Sequence, residues 1–129
     1  MSEGPSDFDL SAAWLRKAHG DLGAFLAAFA TRMEGAMPGR IGIERRRDWL
    51  LSKQTHVVKV AVEAANCVYT LALERNNLRA RRAKVVRGVT LKSEEMAVPE
   101  WLAALNQEIQ RMAAEAGAAR NVIHDFLLS

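Results

Sequence analysis

The chain lacks most of the features that announce a chemistry. Its 129 residues include a single cysteine, Cys67, so no disulfide can close within the chain. A reducing compartment, and hence a cytoplasmic location, is the expected setting. No apolar run approaches the roughly 18 residues that a membrane-crossing helix needs. The opening residues Met1 to Asp7 are polar and acidic, unlike a secretory signal. There is no phosphate-binding loop, no Gly-x-Ser-x-Gly elbow and no Gly-x-Gly-x-x-Gly turn. His19, His56, His124 and Cys67 are scattered along the chain at no ligand spacing, so neither a metal nor a cofactor is expected. His124 and Asp125 are adjacent in sequence, but neighbouring helix positions point about 100° apart and do not form a dyad. Glu94 and Glu95 read as a solvated acidic turn before the last helix. With no set of nucleophile, base and oxyanion donors in view, the chain reads as non-catalytic.

What is present describes one folded domain. Half of the residues are hydrophobic and 26% are charged, a globular rather than a disordered balance. Residues 1–8 read as a frayed tail and 9–129 as a single α+β domain. Asp9 or Ser11 can cap a first helix. Leu15, Ala18, Leu22, Phe25, Phe29 and Met33, widened by Leu26, then form one apolar stripe at helical spacing. Gly20 and Gly23 weaken its middle, and a break near His19-Gly20 is compatible with the pattern. Met37-Pro38-Gly39 ends it.

The period then changes from 3.6 to 2. Ile41 and Ile43 form one alternating set, and Val58, Val60 and Val62 a second. Cys67, Tyr69, Leu71 and Leu73 form a third, and Ala83, Val85, Val89 and Leu91 a fourth. These predict a four-stranded antiparallel meander with one wet face, turning at Ala64–Asn66 and near Asn76-Asn77. A three-residue loop from Arg75 to Asn77 pairs Tyr69 with Ala83 and Cys67 with Val85. That register keeps the charges of Arg82 and Lys84 off the apolar face. Cys67 then reads as an inert core thiol. Pro99 and Glu100 open a last helix. Along it Leu102, Leu105, Ile109, Met112, Ala116, Ala119, Ile123 and Phe126 sustain a heptad seam. As one rod of about 29 residues it reaches roughly 43 Å and overhangs the sheet. The expected fold is therefore α-β-β-β-β-α, with both helices on one face of the sheet. At the level of topology alone, this order resembles small α+β adaptor and secretion-chaperone folds.

Charge is unevenly spread along the chain. Residues 1–38 carry a net −2, residues 39–92 a net +9 and residues 93–129 a net −4. Such a division points to an interaction surface. Arg40, Arg46, Lys59, Arg75, Arg79, Arg82 and Lys84 are the candidates for a basic stripe across the wet face. In the run Arg45-Arg46-Arg47-Asp48-Trp49-Leu50-Leu51-Ser52-Lys53, two readings compete. It is an extended strand in which Trp49 and Leu51 continue the Ile41/Ile43 face and Asp48 meets Lys59. Otherwise it is a hairpin tip that offers Trp49 and Leu50 as an anchor. Ile109, Met112, Ala116, Ala119, Ile123 and Phe126 are the candidate self-association seam.

The function expected from these features is a protein-interaction, adaptor or chaperone-like domain. It would self-associate through its last helix and present a basic face to an acidic protein partner. The alternative is binding of nucleic acid or an anionic membrane by the same face. Against nucleic acid, the only tyrosine, Tyr69, falls on the inner side of its strand, and single-strand binders need aromatic platforms.

Overall fold

The computed structural model describes residues 21–47, 51, 53–115 and 126–127. Asp21 caps the first described helix, α1 (Leu22–Ala36), its carboxylate accepting from the Ala24 amide at 3.0 Å. The capping positions expected at Asp9 and Ser11, and the tail over residues 1–8, lie outside the described residues. Phe25, Leu26, Phe29 and Met33, members of the predicted stripe, are buried along α1 together with Ala30; Leu15, Ala18 and the possible break at His19-Gly20 lie outside the described residues. The helix closes where the Met37 amide donates to the Met33 carbonyl and Gly39 takes the left-handed conformation at φ 82°.

Five strands follow: β1 (Ile41–Arg47), β2 (Thr55–Glu63), β3 (Cys67–Glu74), β4 (Asn77–Val86) and β5 (Val89–Met96). They form one antiparallel sheet in sequence order. The fifth strand corrects the expected four. The stretch from Arg82 to Leu91, which alternates as if it were one strand, is folded back on itself at Arg87-Gly88. Both residues have positive φ, 54° and 79°, the pair of conformations that a two-residue hairpin turn requires. Glu94 and Glu95 accordingly belong to β5 and not to a loop.

The β3–β4 register also differs from expectation. Arg75 and Asn76 supply the positive φ values of a two-residue turn, 52° and 66°, and Glu74 pairs with Asn77. Tyr69 therefore stands opposite Arg82, and Cys67 opposite Lys84, instead of Ala83 and Val85. A bulge in β2 makes a further change. Glu44 pairs with Lys59 but Arg45 with Val57, so Val57 enters the core although the simple alternation places it outside.

Both helices cover the same side of the sheet. Phe25, Leu26, Phe29 and Met33 of α1 share one core with Val60, Val62, Tyr69, Leu71 and Ala80. Trp101, Leu102, Leu105 and Ile109 of α2 (Val98–Glu115) join the same core. Phe29 is the hinge between layers: its ring lies 5.8 Å from Trp101 and 5.9 Å from Phe126. That second contact overturns the single overhanging rod. Twenty-five helical residues would set Trp101 and Phe126 roughly 38 Å apart, yet both touch Phe29. The chain's end is thus packed into its own core, with Phe126 and Leu127 buried.

Because Phe29 is fully buried against both helical segments, Phe29→Ala should lower stability by about 3–5 kcal/mol in a urea titration. A loss under about 1 kcal/mol would mean that the core does not converge on this ring.

Candidate functional site

The inner face carries a polar group that the strand alternation did not anticipate. Arg82, half-buried beneath the helices, donates from Nη2 to Glu94 Oε2 at 2.5 Å. The two face each other across the β4–β5 ladder, and Tyr69 stands opposite Arg82 on β3, close enough to interact with it. Above them the Trp101 indole donates to the Arg81 carbonyl at 2.9 Å. Burial pushes the Tyr69 phenol above the ordinary tyrosine value, with the neighbouring Arg82 opposing that shift. The Glu94 hydrogen bond, then that of Tyr69, hold Arg82 in its charged form. A phenol moved upward and a guanidinium committed to a carboxylate supply no acid or base working near neutrality. Their role is to make a charge tolerable on the covered face.

The outer face, which neither described helix covers, carries Glu44, Arg46, Lys59, Glu63, Glu74, Arg79, Arg81 and Glu95 by register. Those are four cations and four carboxylates, a net of zero. Arg79 grips Glu95 through Nε at 2.5 Å and Nη2 at 2.8 Å, which lowers the Glu95 pKa chiefly by hydrogen bonding. Arg81 lies 3.6 Å from Glu74. Of the seven residues expected to share a basic stripe, Arg46, Lys59 and Arg79 are on this face. Arg82 and Lys84 are on the opposite, helix-covered side. Arg75 sits in the β3–β4 turn, and Arg40 precedes β1, donating to the Glu63 carbonyl at 3.5 Å. A single stripe does not form, because the Arg75-Asn76 turn sets the parity of β4 and β5 returns carboxylates beside its arginines.

Positive charge is concentrated instead at the far end of the β1–β2 hairpin. Arg45, Arg46 and Arg47 close β1 and stand opposite Val57, His56 and Thr55. All three arginines are exposed, as is Lys53 across the connection. Among the described residues from 45 to 57 there are these four cations and no carboxylate. Leu51 lies between them in a turn, 81% exposed. It does not continue the Ile41/Ile43 face, so the extended-strand reading fails at this residue. Lys59 stands opposite Glu44. Asp48, Trp49 and Leu50 lie outside the described residues.

The C-terminal seam is divided. Ile109 and Phe126 are buried in the chain's own core and Met112 is half-buried. Ala116, Ala119 and Ile123 lie outside the described residues. Cys67 is half-buried at the core's edge. Among the described residues no three His, Cys, Asp or Glu side chains gather as metal ligands, and no helix is long and apolar enough to cross a membrane. Comparison with protein-family models, with curated proteins and with solved structures finds no match.

Tyr69 is the chain's only tyrosine, so its ionisation can be followed directly. The ultraviolet phenolate band should rise with a midpoint above the ordinary value of about 10. A folded pKa above the unfolded one stabilises the native state below about pH 10, and that contribution is lost as pH climbs through the folded pKa. A midpoint at or below the free value would contradict the burial of this phenol.

Proposed function

We propose that this chain is a non-catalytic interaction domain that docks an acidic partner protein through the cationic end of its β1–β2 hairpin. The observation that carries the reading is Leu51, 81% exposed, set among Arg45, Arg46, Arg47 and Lys53. A bare leucine costs free energy in water and gains it in an apolar pocket. Surrounding cations draw in and orient an acidic surface around such a pocket. The outer sheet face contributes little, since its four carboxylates equal its four cations in number and Arg79 and Arg81 are paired with Glu95 and Glu74. The C-terminal seam is left out, because Ile109 and Phe126 serve the chain's own core.

An anionic membrane surface is the second reading, and the same leucine favours it: apolar side chains beside lysine and arginine suit a lipid interface. Nucleic acid ranks below both, since an exposed leucine gains nothing from a phosphate backbone.

The test is capture of partners from the native cell by the full chain, with nuclease treatment in parallel, against an Arg45→Glu/Arg46→Glu variant and a Leu51→Asp variant. The expected result is a nuclease-resistant protein partner, lost in both variants. Retention should also fall as salt rises from about 0.1 M to about 1 M, where the screening length drops from about 10 Å to about 3 Å. Sedimentation with vesicles containing phosphatidylserine identifies the membrane reading, and loss on nuclease treatment identifies nucleic acid. Unchanged capture by both variants removes the hairpin end from the function.

A further inference from the structure

Among the described residues, β5 is the last strand of the sheet and its outer edge pairs with no other element. An open edge presents backbone donors and acceptors to any strand that can align with it. Edges are commonly guarded by charge of one sign, and β1 at the opposite edge shows this. Paired antiparallel with a second β1 in full overlap, it would set Glu44 against Glu44, and Arg45 to Arg47 form a continuous cationic end. Strand β5 is different. It bears Lys92 and Glu94 two positions apart on one face, and its hairpin exposes Val86, Val89 and Leu91, the latter two 58% and 59%.

Lys92 also has a problem within the chain. It stands directly opposite Lys84 on the neighbouring strand, and like charges across a ladder are destabilising. Glu94 is taken by Arg82, so Lys92 lacks a carboxylate opposite it on the β4 side.

We infer that β5 is a self-association edge, pairing antiparallel with β5 of a second copy about a two-fold axis at Ser93 to form a continuous ten-stranded sheet. Geometry selects this register. A two-fold perpendicular to the sheet keeps inner faces on one side, so the axis must pass through a residue and not between two. An axis at Lys92 sets Lys92 against its own copy, and an axis at Glu94 does the same with Glu94. An axis at Leu91 would fall on the residue that the β4–β5 irregularity leaves without an opposite number. At Ser93 each Lys92 faces Glu94 of the second copy and Leu91 faces Glu95, the regular stretch ending at Leu91 because that residue is extra in the β4–β5 register and reverses the face of Thr90. The inner row across the junction then reads Tyr69, Arg82, Glu94 and, from the second copy, Lys92, Lys84, Cys67. The paired lysines of each chain thereby gain an acid. The same register lays Leu91 beside the second copy's Glu95.

Sedimentation equilibrium of the full chain tests this, together with a directed cross-link. The unaltered chain should be a dimer at micromolar concentration. Lys92→Glu relieves the Lys84 repulsion within each chain but sets two carboxylates against each other across the axis. It should keep the native circular-dichroism spectrum while weakening dimerisation by about tenfold or more. In a Cys67→Ser background, Ser93→Cys places two thiols across the axis, where facing Cα atoms in antiparallel strands lie about 4.5–5.5 Å apart. Mild oxidation should link that variant quantitatively, while Glu63→Cys on the outer face should stay unlinked. A monomer throughout, open-ended association without a dimer, dimerisation of Lys92→Glu as tight as that of the unaltered chain, or equal linking at both cysteines would each overturn the inference. Should Lys92→Glu fail to fold, the two cysteine variants decide the matter alone.

Discussion

A guanidinium placed on the helix-covered side of a sheet must be answered there or the strand that carries it cannot stay in register. The contact of Arg82 with Glu94, supported by the Tyr69 hydroxyl, is that answer. Sliding β4 by one residue against β3 would move Arg82 to the outside, but it would also carry Leu78 and Ala80 out of the core. The turn at Arg75-Asn76 and the carboxylate on β5 therefore work as one device. The turn fixes which side chains of β4 face the helices, and Glu94 neutralises the one that is charged. Trp101 reinforces the arrangement from above by holding the β4 backbone at Arg81.

The same pair explains where reading the residues in order succeeds and where it fails. The inner positions of β1 to β3 were legible, since Ile41, Ile43, Val60, Val62, Tyr69 and Leu71 alternate without interruption and pack as alternation requires. So was the α1 stripe, whose members recur at helical spacing. From β4 onward the pattern misleads. Keeping Arg82 and Lys84 off the apolar side is a sound rule for isolated charges, but it ignores a carboxylate twelve residues further on that returns to face Arg82. Gly88 was the available signal for that return. In the sequence the odd-numbered spacing of Val85, Val89 and Leu91 runs straight across it, whereas in the sheet Val86, not Val85, shares a face with Val89. Val57 escaped for a different reason, because a bulge shifts one residue without any compositional mark.

Charge was the least transferable property. The strong positive excess of residues 39–92 is real as a sum, but a meander redistributes it. Strand β5 brings Glu94 and Glu95 back beside Arg82 and Arg79, one pair on each face. At the β1–β2 hairpin end, among the described residues, the arginines of β1 and Lys53 are the only charged side chains beside Leu51. Uneven charge along a sequence thus marks an interaction surface only after the partners across each ladder are known. The C-terminal seam teaches a parallel lesson: a heptad-like run is satisfied here, at Ile109 and Phe126, by the core of the chain that carries it.

Strands laid side by side in the order in which they are joined have a kinetic consequence. Each ladder closes over a tight or short connection, so the sheet can assemble by successive hairpins without first bringing distant segments together. The contacts that span the chain are those of the helical layer, above all Phe29 with Trp101 and Phe126. Until that layer docks, one side of the nascent sheet is bare hydrocarbon with a half-shielded arginine in it. A sheet formed ahead of its lid would be the species open to association, for as long as the last segment had not reached Phe29.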